Sequence, residues 1–107
     1  SVISNCKFKY AEGWSGISLN DGARYNKIIN NIIDNCGAWV REDGFDHGDA
    51  LALFCAEYNL IEGNTFTRGG HNLLAIYGSH NIIKNNIFDN LWGVDANGKP
   101  YGNRCIE

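Results

Sequence analysis

An all-β solenoid, a parallel β-helix of about four coils, is the fold class predicted by three observations on this 107-residue chain. Asparagine occurs at 5, 20, 26, 30, 31, 35, 59, 64, 72, 81, 85, 86, 90, 97 and 103, about three times ordinary globular usage. Four segments share the frame N-x-I-x-x-N-x-(I/F): S1-V-I-S-N-C-K-F8, N26-K-I-I-N-N-I-I33, N59-L-I-E-G-N-T-F66 and N81-I-I-K-N-N-I-F88. After each frame comes a second apolar doublet with an alternating pattern. A repeat of this period reads as one supersecondary unit per coil, stacked on its neighbours.

Within the frame, position three is Ile3, Ile28, Ile61 and Ile83, and position eight is Phe8, Ile33, Phe66 and Phe88. Position six is Asn31, Asn64 and Asn86, with Cys6 as the exception. The frames start 25, 33 and 22 residues apart. The coils therefore run over about 1–25, 26–58, 59–80 and 81–107, in a single domain. The doublets are Ile17/Leu19, Leu51/Leu53, Leu74/Ile76 and finally Ile106. Alternation puts every second side chain inside, as a strand requires, and equivalent residues then stack about 4.8 Å apart. A column of inward asparagines hydrogen-bonds along the stack and to backbone groups left over at the bends, where asparagine also tolerates the left-handed conformation. A leucine-rich repeat has a similar period but expects several leucines per unit, and this frame is filled by Ile and Phe.

Composition narrows the function classes. Apolar residues make up 44% of the chain, enough for a core, so disorder is excluded. The apolar runs are too short for a membrane-spanning helix, and no signal-peptide pattern opens the sequence. A net charge of −3 gives no basic face for nucleic acid. The four cysteines, Cys6, Cys36, Cys55 and Cys105, lack zinc-site spacing, and no two share a column on neighbouring coils. They are expected to be free and mostly buried thiols.

Two coils carry insertions at one bend, over 38–49 and 92–103. Insertions into a solenoid usually emerge on one face, often the binding face. In the first, Asp43, Asp46 and Asp49 are candidate oxygen ligands for Ca²⁺. Next to the inward doublets runs an outward column: Ser15, Ser18 and Asn20; Asp49, Ala52 and Phe54; Asn72, Ala75 and Tyr77; Arg104 and Glu107. Such a mixed polar face suits an extended polysaccharide, with Asn72 and Phe54 as binding residues. Trp14 and Trp39 both fall at position 14 of their coils, as flat platforms for a sugar ring. The chain opens inside a frame and closes within a doublet, so the expectation is a fragment of a longer chain or a subunit that associates end to end.

On its repeats the chain resembles the right-handed parallel β-helix superfamily, whose pectate-lyase-like members carry N-x-I-x-x-N-x-I. The resemblance implies a right-handed coil, an extracellular or periplasmic location, and polysaccharide as partner. The segment D43-G-F-D-H-G-D-A-L-A-L53 followed by G69-G-H-N-L-L-A-I-Y-G-S79 is similar to polygalacturonases, which implies Asp49 as general acid with His71 beside it. Where that pattern expects further carboxylates, Gly48 and Ser15 stand. The segment G44-F-D-H47 resembles a Gly-Phe-Asp-x-His element of alginate epimerases and lyases. That resemblance implies His47 as base, Tyr77 as proton donor, and Arg104 or Ca²⁺ as the group that neutralises a uronate carboxylate. The expectation is thus a polysaccharide-binding or -processing β-helix of uronate lyase or epimerase type. The alternatives are a non-catalytic adhesin or tail-fibre module and a polygalacturonase-like hydrolase.

Overall fold

In the computed structural model, described residues are 1–11, 13–37, 39–40, 46–89, 93–94, 100–101 and 104–106, with backbone alone at 39–40, 46–47, 93–94, 100–101 and 104. Three four-stranded parallel sheets form the walls of a solenoid. The first sheet holds Val2–Ser4, Lys27–Ile29, Leu60–Glu62 and Ile82–Lys84. The second holds Lys7–Lys9, Ile32–Asp34, Thr65–Thr67 and Ile87–Asp89. The third holds Ser15–Leu19, Asp49–Glu57, Asn72–Ser79 and Arg104–Ile106. The predicted parallel β-helix is the observed fold, and no helix occurs among the described residues.

The register follows the repeated frame residue for residue. Ile3 pairs with Ile28, Ile28 with Ile61 and Ile61 with Ile83. Phe8, Ile33, Phe66 and Phe88 pair in the same way in the second sheet. These columns face the interior, where Ile28, Ile33, Ile61 and Phe66 are at most 1% exposed. The Phe66 and Phe88 rings stack with centroids 4.9 Å apart, close to the strand spacing set by the backbone. Packing and ladder hydrogen bonds therefore share one period, and neither strains the other.

Two asparagine ladders run through the bends. In one, the Asn31 side-chain amide donates to Asn64 Oδ1 at 3.0 Å, and that of Asn64 to Asn86 Oδ1 at 3.1 Å. The same oxygens accept from the backbone N–H of Asn31 and Asn64, at 2.9 and 2.8 Å. Each amide also donates to a carbonyl of the preceding strand in the coil below, Ile3, Ile28 or Ile61. The second ladder, Asn26–Asn59–Asn81, repeats the arrangement at the frame's first position. Burial of these amides costs little because every bend leaves a donor and an acceptor that asparagine matches. The left-handed residue is the one before position six of the frame: Asn30 and Asn85 before ladder asparagines, and Asn5 before Cys6, have φ near +55°, and Gly63 before Asn64 has φ 69°.

Two sequence expectations are corrected. Strict alternation fails in the third sheet, where the consecutive pairs Ala50–Leu51 and Leu73–Leu74 both pack into the core. Neighbours on one side require the chain to turn a corner between them. The thiols are free among the described side chains but not mostly buried: Cys36 is buried, Cys105 is half-buried, and Cys6 and Cys55 are exposed. Cys55 sits in the left-handed region at φ 54°. That reverses the alternation, so Ala56 turns into the core in its place.

On the outside of the second sheet, Arg68 Nε donates to Asp34 Oδ1 at 2.9 Å, and Thr67 Oγ1 donates to the same oxygen at 2.7 Å. The Arg68 hydrogen bonds hold the Asp34 carboxyl below the usual carboxylate range, against the opposing effect of its burial. Burial pushes the Cys36 thiol up.

Candidate functional site

The third sheet is the wall from which the candidate residues project. Its first row is Ser15, Asp49, Asn72 and Arg104, paired strand to strand in that order. A second row, Ser18, Ala52 and Ala75, and a third, Phe54 and Tyr77, follow along the strands. Over these residues the column read from the sequence is in register; Asn20 follows the last paired residue of its strand, and Glu107 lies outside the described residues. The column's surface is not one continuous groove, however, because Ala52 and Ala75 are 0% exposed. The face is divided into a polar row at one end and an aromatic row at the other.

At the polar row, Asn72 joins its neighbours. Its side-chain amide donates to Asp49 Oδ1 at 2.8 Å and lies 3.1 Å from His71 Nδ1. Asn72 is fully buried, Asp49 is half-buried and His71 is exposed. The His71 backbone N–H donates to Gly48 O at 2.6 Å, and that of Asp49 to Trp14 O at 2.8 Å. His71 therefore stands beside Gly48, one position before the Asp49 row. Trp14, 62% exposed, borders the row from the first coil.

Glycines at 37 and 48 hold this corner together. A Cβ on Gly37 would meet Asp49 O at 2.1 Å, and one on Gly48 would meet Gly13 O at 2.4 Å. Both have positive φ, 70° and 99°, so any side chain here is excluded on two counts. Between them the first insertion forms an antiparallel hairpin, Trp39–Val40 against Asp46–His47. The second insertion does the same with Gly93–Val94 against Pro100–Tyr101. Trp39 therefore pairs with His47 in the hairpin, and the residue beside Trp14 in the next coil is Gly48. Counting from the frame start misaligned the two tryptophans because the hairpin intervenes before the third sheet resumes.

The sequence candidates thus separate into groups. The structure brings Asp49, His71 and Asn72 together, with Trp14 adjacent and the Arg104 backbone in the same row. Tyr77 lies five residues along the strand from Asn72, about 17 Å at ordinary strand rise. There it stacks on Phe54 with centroids 5.6 Å apart. The side chains of Trp39, Asp46, His47 and Arg104 lie outside the described residues, as does Asp43 entirely. The Ca²⁺ ligand set Asp43, Asp46 and Asp49 thus falls mostly outside them. Among the described residues no cluster of three metal-ligating side chains occurs.

One surface feature escaped the sequence reading. Tyr25, Tyr58 and His80 form an exposed stack at the bend after the third sheet, with centroid separations of 5.7 and 4.8 Å. Tyr25, Tyr58 and His80 are all left-handed, with φ 56°. Each immediately precedes a frame, as Tyr25-Asn26, Tyr58-Asn59 and His80-Asn81. That recurrence of a ring at one coil position was the available signal.

The geometry defines a three-walled parallel β-helix with a polar row and an aromatic row on one outer wall. Residues 1–100 match the family model described as the right-handed β-helix region, and the chain belongs to that family. Comparison with curated proteins gives no match, and comparison with solved structures gives none either.

Proposed function

We propose that this β-helix binds an acidic, uronate-containing polysaccharide on the outer wall of the third sheet and acts on it by lyase or epimerase chemistry. The observation that carries the reading is the Asp49–Asn72–His71 hydrogen-bonded row, next to an exposed indole and on rigid strands. A carboxylate, an imidazole and an amide within one row offer proton acceptors and donors to a bound sugar. Trp14 on one flank and Phe54–Tyr77 at the far end offer flat apolar surfaces for further sugar rings. Arg104 enters the reading as a carboxylate neutraliser through its backbone place beside Asn72, and His47 as a base two residues before Asp49. A bound Ca²⁺ would serve the same neutralising purpose at the first hairpin. Retaining and inverting hydrolases both need a pair of carboxylates across the scissile bond, and Asp49 is the one carboxylate among the described side chains of the row.

The test is incubation with alginate, pectate and chondroitin, with and without Ca²⁺. Lyase action produces unsaturated ends that absorb in the ultraviolet, and epimerase action changes the uronate composition without cleavage. Reducing ends without that absorbance would assign hydrolysis instead. Binding with none of these products would leave a non-catalytic glycan-binding module, and absence of binding would overturn the proposal.

A further inference from the structure

We propose that the asparagine ladders give the solenoid one docking face. The fourth coil takes up a parallel β-helical coil of a partner chain that carries asparagine at the first and sixth frame positions. The first coil, with Cys6 at position six, rejects the same stacking, so an unaltered second copy is not that partner.

The ladders have a direction. In each bend the asparagine of one coil gives its backbone N–H and a side-chain amide hydrogen to Oδ1 of the asparagine in the next coil. In the fourth coil, Asn81 and Asn86 accept from Asn59 and Asn64 in this way, and each returns an amide hydrogen to the third coil, at Ala56 O and Ile61 O. A side-chain amide has a second hydrogen. For that hydrogen and for the backbone N–H of both residues, no acceptor occurs among the described residues. Two donors at each position therefore point along the axis, to where Oδ1 of a stacked asparagine would stand. One carbonyl oxygen, with two lone pairs, takes both.

The first coil cannot supply that oxygen. The Cys6 backbone N–H donates to Asn31 Oδ1 at 2.9 Å and its thiol to Ser4 O at 3.2 Å. Sulfur is a weak acceptor, and Ser1 at position one has only a short hydroxyl. In other respects the two faces match. Ile83 and Phe88 in the fourth coil and Ile3 and Phe8 in the first hold the same frame positions, and all four are half-buried. A second copy stacked head to tail would continue both apolar columns. On the outside it would set Val2 on Ile82, Ser4 on Lys84, Lys7 on Ile87 and Lys9 on Asp89, with no like charges opposed. Matching edge strands of this kind invite pairing. The ladder is what opposes it, because closing the joint on Cys6 buries the Asn86 donors without partners.

The experiment makes a second copy into the partner. Sedimentation velocity under reducing conditions compares the wild-type chain with Cys6→Asn and Cys6→Ser. The Cys6→Asn chain is expected to associate roughly tenfold more tightly than wild type, since each joint then satisfies the buried donors. Cys6→Ser removes the thiol without supplying a carbonyl and is expected to behave as wild type. Association of Cys6→Asn is expected to shift the side-chain amide signals of Asn81 and Asn86 in ¹H–¹⁵N NMR, which locates the joint at the fourth coil. Should the asparagine variant fail to fold, Cys6→Asp takes its place, because its carboxylate offers an acceptor at the same reach. A folded variant that associates no more tightly than wild type overturns the proposal. So does equal association by Cys6→Ser, or association that leaves the Asn86 amide unmoved.

Discussion

Asn64 shows how much a single side chain does in this architecture. Its oxygen accepts from the side chain and backbone of Asn31, and its nitrogen donates to Ile28 O and Asn86 Oδ1. Asn64→Ala leaves at least two buried backbone groups without partners, at about 1–3 kcal/mol each. It is expected to lower stability by more than about 2 kcal/mol in urea denaturation. Asn85 is a contrasting case, since it is exposed and left-handed at φ 55°. Asn85→Gly is expected to be tolerated, whereas Asn85→Val strains the bend by on the order of 1–2 kcal/mol. The same denaturation series separates the two roles of asparagine, and equal losses at both positions would refute the division. The sequence showed that asparagine was periodic. It did not show which asparagine bonds and which one turns, because neighbours in the chain differ only in backbone conformation.

At the scale of elements, the ladder-like outer contacts depend on strands being stacked. Asp34 and Arg68 are one coil apart and meet only in the folded chain. Because the folded carboxyl titrates below its ordinary value, its contribution is complete above the unfolded value near pH 4. It is lost as pH falls through the lowered folded value. The acid limb of a thermal-stability profile is therefore expected to flatten in Asp34→Asn, and an unchanged limb would show that the pair contributes nothing. Inside the coil, Phe66→Ala removes a fully buried ring stacked on Phe88, with an expected loss of about 3–5 kcal/mol. At the hairpin root, Gly37→Ala drives a methyl into the Asp49 carbonyl. It is expected to displace the polar row and to reduce polysaccharide binding together with stability.

For the whole molecule, the proposed function predicts a division of labour along one wall. Asp49→Asn is expected to abolish turnover of a uronate polymer while leaving binding within a few-fold. Trp14→Ala and Tyr77→Ala are expected to weaken binding of long chains more than of short ones, because Trp14 and Tyr77 stand at opposite ends of the wall. Affinity measurements on oligomers of increasing length check this, and a loss independent of length would place both rings off the path. Polymer turnover that survives Asp49→Asn would move the chemistry away from this row.

The sequence by itself determined the solenoid. Frame spacing, the inward Ile and Phe columns, and the register of Asp49 with Asn72 follow from a repeat that admits one stacking in which identical residues align. It also brought Asp49 and His71 to one corner, since both lie at the start of the same wall. Only the tertiary structure decided what those residues touch. The buried amide between Asp49 and His71, the covered alanines that part the polar and aromatic rows, and the stack of Tyr25, Tyr58 and His80 all arise between coils. Such contacts depend on side-chain direction and on where a coil bends. A left-handed residue, a corner or an inserted hairpin resets both locally, so the repeat specifies the column and the folded chain specifies the site.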